Sequence, residues 1–385
     1  MKGVSEVLDN TKLIHGYPVV DPHTGAASIP KYQTSTFNQQ AIFESQEYSY
    51  TRFGNPTVAA LEEGIAALEG AKHGFAFSSG VAAISTVLML LESGNHLVVP
   101  KEVYGGTCQF VKDILPNYQI TSSFVDYSDL EEVEKAITKD TRVLYIETPS
   151  NPLLKVADIK SLVQLAKKYD VLTVMDNTFM TPLYQKPLAL GVDIVIESAT
   201  KFLNGHSDVV AGLVALNDDQ LEKSLRLHQK AFGAILGVED AWLVLRGMKT
   251  MGIRMEKSCQ NAQLIAEFLA GHPKIQNVYY PGLTSHPSHE VHQEQATSGG
   301  AVLSFDLGNE ENVATMTEHL QLPIIAVSLG GVESIVSYPR TMSHACLSEE
   351  DRLEQGVTPG LLRLSCGIED SEDLLKDIEQ ALSFI

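Results

Sequence analysis

The chain has 385 residues, with 28 Lys and Arg against 48 Asp and Glu, a formal charge of −20, and 44% hydrophobic residues. Such a surface repels phosphodiester backbones and anionic lipid, so nucleic acid and membrane are excluded as expected partners and small molecules remain. The length exceeds what one hydrophobic core sustains, so two domains are expected.

The N-terminal residues lack a signal-peptide pattern and no apolar run reaches the length of a membrane span, so the expected location is cytoplasmic. The four cysteines, Cys108, Cys259, Cys346 and Cys366, lie far apart without a CxxC pair and read as buried, reduced thiols. Residues 1–56 have little helical period but carry apolar patches at Leu13-Ile14, Tyr17 to Val20 and Ile42-Phe43. They are expected to form an arm that lies against a neighbouring subunit.

Residues 57–254 read as a large α/β domain. Asn55 or Thr57 caps a helix in which Val58, Leu61, Ile65 and Leu68 share one face. A short strand at Gly74 to Phe77 runs into Ser78-Ser79-Gly80-Val81, a small-residue turn that opens a helix. Such a turn is a plain helix cap or a phosphate cradle. Four more apolar runs follow, at His96 to Pro100, Arg142 to Ile146, Val171 to Met175 and Asp193 to Ile196. Each leads into polar groups: Tyr104-Gly105-Gly106, Glu147 to Pro152, Asp176-Asn177-Thr178 and Ser198-Ala199-Thr200-Lys201. Helical segments near 106–115, 129–138 and 158–169 make the strands parallel, which gathers those polar groups at one sheet edge.

A long helical region is expected after Asn217. Residues 255–385 read as a smaller α+β domain, with helices at 261–270, near 311–320 and at 371–384, and strands at 278–280, 301–305, 324–328 and 361–365. His286-x-x-His289-x-x-His292 winds around a helix instead of keeping one face, and reads as a solvated turn; no metal is expected.

Lys201, just past a strand end, has three readings: a phosphate contact, a snorkelling cation, or an amine that captures a carbonyl. Asp176 caps a helix or pairs with a cation, or else is a buried carboxylate that holds a pyridine nitrogen protonated. Adjacent parallel strands lie about 4.8 Å apart, so a flat ring fits between the two residues, its aldehyde toward Lys201 and its nitrogen toward Asp176. Ser79, Gly80, Ser198 and Thr200 then hold a phosphate, and Tyr104 stacks on the ring. These groups together describe pyridoxal phosphate (PLP).

Tyr50-x-Arg52-x-Gly-Asn-Pro-Thr, Ser78-Ser79-Gly80, Val103-Tyr104-Gly105-Gly106, the Glu147 to Pro152 run, Asp176-Asn177-Thr178, Ser198 to Phe202 with the Gly-His-Ser-Asp that follows, Ser328 to Ser334 and Arg363-Leu364-Ser365 resemble the Cys/Met-metabolism, or trans-sulfuration, family of PLP-dependent enzymes. The resemblance covers nearly the whole chain. It implies a fold-type I, aspartate aminotransferase-like architecture: a mostly parallel seven-stranded sheet, an N-terminal arm and a smaller α+β C-terminal domain. It implies Lys201 as the cofactor-linked lysine and proton carrier, Tyr104 as a second catalytic group, and Asp176 on the ring nitrogen. Ser79, Gly80, Val81, Ser198 and Thr200 hold the phosphate, completed by Tyr50 and Arg52 from a neighbouring subunit of a homotetramer built as a dimer of dimers. Arg363 clamps the substrate carboxylate with Asn151 and Ser328, and Glu333, Ser49 and Gln109 complete the substrate set.

Within the family, Ser49 and Gln109 stand where many γ-type members place an acidic residue and an arginine. Gly106 stands where methionine γ-lyases have cysteine. The overall pattern is most similar to Gram-positive lyases of mixed β/γ activity. The expected reaction is γ-elimination of the thioether L-cystathionine to cysteine, 2-oxobutanoate and ammonia, with β-elimination as a side activity. The alternatives are a cystathionine β-lyase giving homocysteine, pyruvate and ammonia, a γ-synthase using an O-acyl-homoserine, and a PLP-binding regulator without catalysis.

Overall fold

The computed structural model describes residues 7–345 and 348–385; Cys346 and the first six residues lie outside the described range. The arm opens with a short helix, α1 (Asp9–His15), which the sequence reading missed because only Leu13 of its seven residues is buried. The long helix α2 (Pro56–Glu69) starts with Pro56 in its first turn and the Asn55 side chain accepting from Thr57 N–H, and ends on Gly70 in the left-handed conformation.

Strands and helices then alternate: β1 (His73–Phe77), α3 (Gly80–Leu88), β2 (His96–Pro100), α4 (Gly105–Gln109), β3 (Thr121–Val125), α5 (Leu130–Ala136), β4 (Thr141–Glu147), α6 (Ile159–Lys168), β5 (Leu172–Asp176), α7 (Thr181–Tyr184), β6 (Ile194–Glu197) and β7 (Gly212–Leu216). The seven strands form one sheet in the order β1-β7-β6-β5-β4-β2-β3. Only β7 runs against its neighbours, so β1 points the same way as the five parallel strands. Alternate residues serve opposite faces, as in any sheet covered on both sides. Leu97, Val99, Val143, Tyr145, Val174, Ile194 and Ile196 enter one core, while Val98, Leu144, Ile146, Met175 and Val195 enter another.

The expected helical region resolves into α8 (Asp219–Phe232), α9 (Val238–Met248) and α10 (Met251–Ala270). The last is continuous across positions 254 and 255, where the large domain was expected to end. Beyond it come β8 (Asn277–Tyr279), α11 (His289–Gln295), β9 (Val302–Asp306), α12 (Glu310–His319), β10 (Ile324–Ile325), β11 (Ile335–Ser337), α13 (Glu349–Glu354), β12 (Leu361–Ser365) and α14 (Ser371–Ser383). Their five strands make a second sheet in the order β10-β11-β12-β9-β8, antiparallel except for β10 with β11. The expected strand 324–328 stops at Ile325.

Cys259 and Cys366 are buried, and desolvation holds both thiols above their ordinary pKa. No helix among the described residues is long and apolar enough to cross a membrane.

Candidate active site

The parallel strands point their carboxyl ends at a cavity of about 520 Å³, closed from the other side by the second sheet. The turn after β1 supplies Ser79, Gly80 and Val81, and the turn after β6 supplies Ser198, Thr200 and Lys201. Tyr104 and Gln109 come from the segment after β2, and Asn151 from the loop after β4. Asp176 ends β5, while Ser328 and Arg363 reach in from the second sheet. Twelve of the sixteen site residues expected from sequence therefore line one cavity, the other four being Ser49, Tyr50, Arg52 and Glu333.

Lys201 projects from a tight turn. Its N–H donates to Ser198 O, and Gly205 N–H donates to Lys201 O at 2.8 Å. Buried Arg254 on α10 braces this turn by donating to Phe202 O at 2.9 Å, Leu203 O and Gly247 O. No local sequence signal marks Arg254, because the carbonyls it holds in the Lys201 turn, Phe202 O and Leu203 O, are about fifty residues away.

The Lys201 ammonium donates to Ser328 Oγ at 2.6 Å. Burial, with the Arg363 guanidinium adding to it, pulls Lys201 down to about 8 despite the opposing pull of Asp176. About a tenth of the amine is then neutral at pH 7, against far less than a hundredth for an ordinary lysine.

Ser328 joins the two cations. Its hydroxyl accepts from Lys201, and its carbonyl accepts from Arg363 Nη2 at 2.6 Å. It does so with φ at 86°, a left-handed conformation that costs a non-glycine residue on the order of 1 kcal/mol.

Arg363 is buried and donates also to Asn151 Oδ1 at 2.8 Å and Ser337 Oγ at 3.0 Å. Three of its five N–H groups are thus filled, and Nε takes no partner. A buried, always-charged fork with open donors fits a carboxylate.

Asp176 accepts from Thr178 N–H at 3.0 Å. Burial raises its pKa, while the Thr178 hydrogen bonds and Lys201 pull the other way. Beside it in register stands Glu147, the last residue of β4, which accepts from Tyr104 N–H at 2.9 Å. Burial, and then the Asp176 charge, push Glu147 far above the usual carboxylate range, so it stays protonated and leaves Asp176 as the anion of the pair. Glu147 was quoted in a sequence motif but given no role, since two adjacent strands ending in carboxyls become neighbours only through sheet register. Burial, then Asp176 and Glu147, also raise Tyr104, so its phenol keeps its proton.

These groups suit the expected pyridoxal phosphate. Gly80 begins α3, whose first N–H groups have no intrahelical acceptor. A Cβ on Gly80 would lie 3.0 Å from Ser198 Oγ, so only glycine leaves the space between the two turns open. Gly212 has the same role one layer back, since a Cβ there would meet Ser79 O at 2.2 Å. The cavity lining combines hydroxyls, a helix start, a carboxylate and an amine, the groups that a phosphate, a ring nitrogen and an aldehyde call for.

Tyr50 and Arg52 do not line this chain's own cavity. Tyr50 is exposed, and Arg52 sits 4.8 Å from the Phe53 ring centroid while donating to Lys230 O at 2.6 Å. Ser49 is likewise on the arm, where its carbonyl accepts from Phe37 N–H. Glu333 accepts from the Ser207 hydroxyl, outside the cavity wall. His286, His289 and His292 each hydrogen-bond a main-chain carbonyl, of Leu154, Pro281 and Ser298 respectively. Among the described residues no group of three or more His, Cys, Asp or Glu is placed to hold a metal ion.

The family described as Cys/Met metabolism PLP-dependent enzyme matches residues 10–383. The chain is 55% identical over 375 residues to cystathionine beta-lyase MetC of Bacillus subtilis (strain 168), covering 97% of this chain and 96% of that protein. It is 50% identical over 375 residues to the cystathionine gamma-lyase of the same organism, covering 97% and 99%. A crystal structure of cystathionine gamma-lyase from Lactobacillus plantarum complexed with L-serine has a TM-score of 0.95 at 43% identity, covering 98% of this chain and 99% of that one.

Proposed function

The chain belongs to the Cys/Met metabolism PLP-dependent enzymes, and within that family we propose that it cleaves a carbon–sulfur bond of L-cystathionine. The observation that carries this reading is the Lys201–Ser328–Arg363 linkage, which sets a partly neutral amine beside a buried guanidinium with open donors. An α-amino acid whose carboxylate sits on Arg363 then has its Cα within the reach of Lys201.

Pyridoxal phosphate, when bound, supplies an electron sink for the charge left when the Cα proton departs. Asp176 would keep the ring nitrogen's proton in place, while Ser79, Ser198 and the start of α3 would anchor the phosphate. Lys201 Nζ takes the Cα proton and returns protons later in the reaction. In β-elimination the Cβ–S bond breaks directly, giving, with uptake of one water, homocysteine, pyruvate and ammonia. In γ-elimination Lys201 must also move a Cβ proton before the Cγ–S bond breaks, giving, with one water, cysteine, 2-oxobutanoate and ammonia. Tyr104, held as a phenol, serves as a ring-face cover and proton donor.

We assign γ-elimination as the main route with β-elimination beside it. The 55% identity to a β-lyase supports the reverse order, β ahead of γ. Product analysis with L-cystathionine decides: 2-oxobutanoate in excess supports γ ahead of β, pyruvate in excess the reverse. Neither keto acid, with cystathionine formed from an O-acyl-homoserine and cysteine, would overturn both in favour of a synthase. The exposed Tyr50 and the outward Arg52 support completion of the phosphate site by a second copy, within a cytoplasmic homotetramer. Sedimentation of the native protein tests the assembly.

A further inference from the structure

Behind the wall that carries Asp176 lies a second pair of carboxyl groups with no part in the chemistry described. Glu69, in the last turn of α2, is 3% exposed, and Glu197, one residue before Ser198, is 1% exposed. They lie within hydrogen-bonding reach of each other. Yet both Glu69 oxygens and Glu197 Oε2 are shut off from solvent and no donor among the described residues meets them in hydrogen-bond geometry, although the Asn177 amide is near enough to pull Glu69 down. Glu197 Oε1 receives the Asn177 Nδ2 amide at 2.9 Å. Two facing carboxylates have no donor between them, so their contact is a hydrogen bond only when a proton lies in it.

The surroundings favour that proton. Lys186 is the nearby cation and its charge pulls Glu69 down, against the larger effect of burial, while its ammonium donates to Leu68 O at 2.6 Å and pairs with Asp9 of α1 at 3.1 Å. Asp9 and Asp176 add negative potential from α1 and β5, and Glu69 stands at the negative end of the α2 dipole. Burial is the largest influence on both groups, placing Glu69 at about 7 and Glu197 well above the carboxylate range.

The network continues from there into the site. Asn177 Oδ1 accepts from Gln185 Nε2 at 2.9 Å, and the same amide donates to Thr148 O at 3.2 Å. One chain of contacts therefore runs from α2 through the ends of β6, β5 and β4, directly beneath the residues that face the cofactor.

We propose that Glu69 and Glu197 form a proton-sharing lock that ties the C-terminus of α2 to the end of β6 and, through Asn177, positions the Asp176–Thr178 turn for the cofactor. Both are positioning residues. The lock depends on the cofactor site alone and holds whichever carbon–sulfur bond is cut.

Three measurements test it. Infrared spectra of the holoenzyme at about pH 8 are expected to show a protonated-carboxyl carbonyl band that E69Q/E197Q lacks, while the band of Glu147 persists in both. Cofactor titration of the cofactor-free protein is expected to show a dissociation constant about tenfold higher in E197A, which leaves one N–H of the Asn177 amide without an acceptor while the other keeps Gln185 O. E197Q, which keeps an acceptor for that amide, is expected to restore it to within a few-fold. Should the double variant fail to fold, the E197A/E197Q pair still decides. An acid band that is the same in wild type and E69Q/E197Q at that pH, or E197A binding cofactor as tightly as wild type, overturns the lock.

Discussion

Replacing Lys201 by methionine removes the buried amine while keeping an unbranched side chain, and its effect on the cofactor-free protein follows from the site's electrostatics. Lys201 falls from 10.5 to about 8, chiefly by burial, so folding at neutral pH confines a cation that prefers water. A displacement of roughly 2.5 units is worth about 3 kcal/mol. The hydrogen bond to Ser328 Oγ, lost in the variant, returns about 1.5 kcal/mol of that, the lower end for a bond to a charged group. Lys201→Met is thus more stable than wild type by about 1.5 kcal/mol near pH 7, a rise of a few degrees in melting temperature. Because the folded pKa is the lower one, the lysine's stability is fully present above its unfolded value of 10.5 and is lost as pH falls through 8. The variant's advantage is therefore full below pH 8 and fades toward 10.5. Calorimetry of the two cofactor-free proteins at about pH 6.5 and about pH 9.5 reads this directly. A variant that is less stable at the lower pH, or whose advantage is the same at both, refutes the burial argument. The same substitution abolishes turnover, and residual lyase activity counts against Lys201 as the proton carrier.

Other substitutions probe the remaining parts of the site. Arg363→Lys keeps the charge but cannot hold Asn151 Oδ1, Ser328 O and Ser337 Oγ together with a substrate carboxylate; kcat/KM is expected to fall on the order of a hundredfold, mostly through KM, and an unchanged KM in steady-state kinetics removes the carboxylate role. Gly80→Ala places a methyl group 3.0 Å from Ser198 Oγ, so equilibrium dialysis should find cofactor held about tenfold more weakly with little change in the melting temperature of the cofactor-free protein. Unaltered retention moves the phosphate elsewhere. Asp176→Asn leaves a ring partner that cannot carry negative charge; turnover should drop at least about a hundredfold with cofactor still bound, as read by absorbance and single-turnover kinetics. It also takes away the charge that raises Glu147, so an infrared titration should find Glu147 ionising at lower pH than in wild type.

Most of the site was legible in the sequence because parallel strands convert order along the chain into proximity at one edge. Asp176 and Lys201 stand at the ends of β5 and β6, and β5 pairs with β6 in register from Val174 to Asp176. What escaped were elements whose residues carry no local signal. Strand β3 is mostly polar, Thr-Ser-Ser-Phe-Val, because it is an edge strand and buries one residue fully. Strand β7, Gly-Leu-Val-Ala-Leu, is apolar on every residue and has no period to separate strand from helix. Glu69 illustrates the deeper limit: a glutamate in the last turn of a helix reads as a solvated residue, and only the packing of α2 onto the sheet makes it a buried acid.

The misread strand at 324–328 shows how local preference and site geometry come into conflict. Ile324, Ile325, Ala326 and Val327 favour extended backbone, and the sequence alone continues the strand through Ser328. In an unbroken strand Ser328 would keep a negative φ, and its hydroxyl and carbonyl would follow the ladder. Instead the ladder ends at Ile325, and Ser328 turns to a φ of 86° followed by Gly330 at 83°. A Cβ on Gly330 would lie 2.7 Å from Phe202 N, so this turn is packed directly against the Lys201 segment. The strain is offset by two charge-assisted hydrogen bonds, to Lys201 and to Arg363, each worth roughly 1.5–3 kcal/mol. Strand propensity at this point is worth about 1 kcal/mol at most, so the two cations decide the backbone. The place where the local reading fails is the residue that joins Lys201 to Arg363.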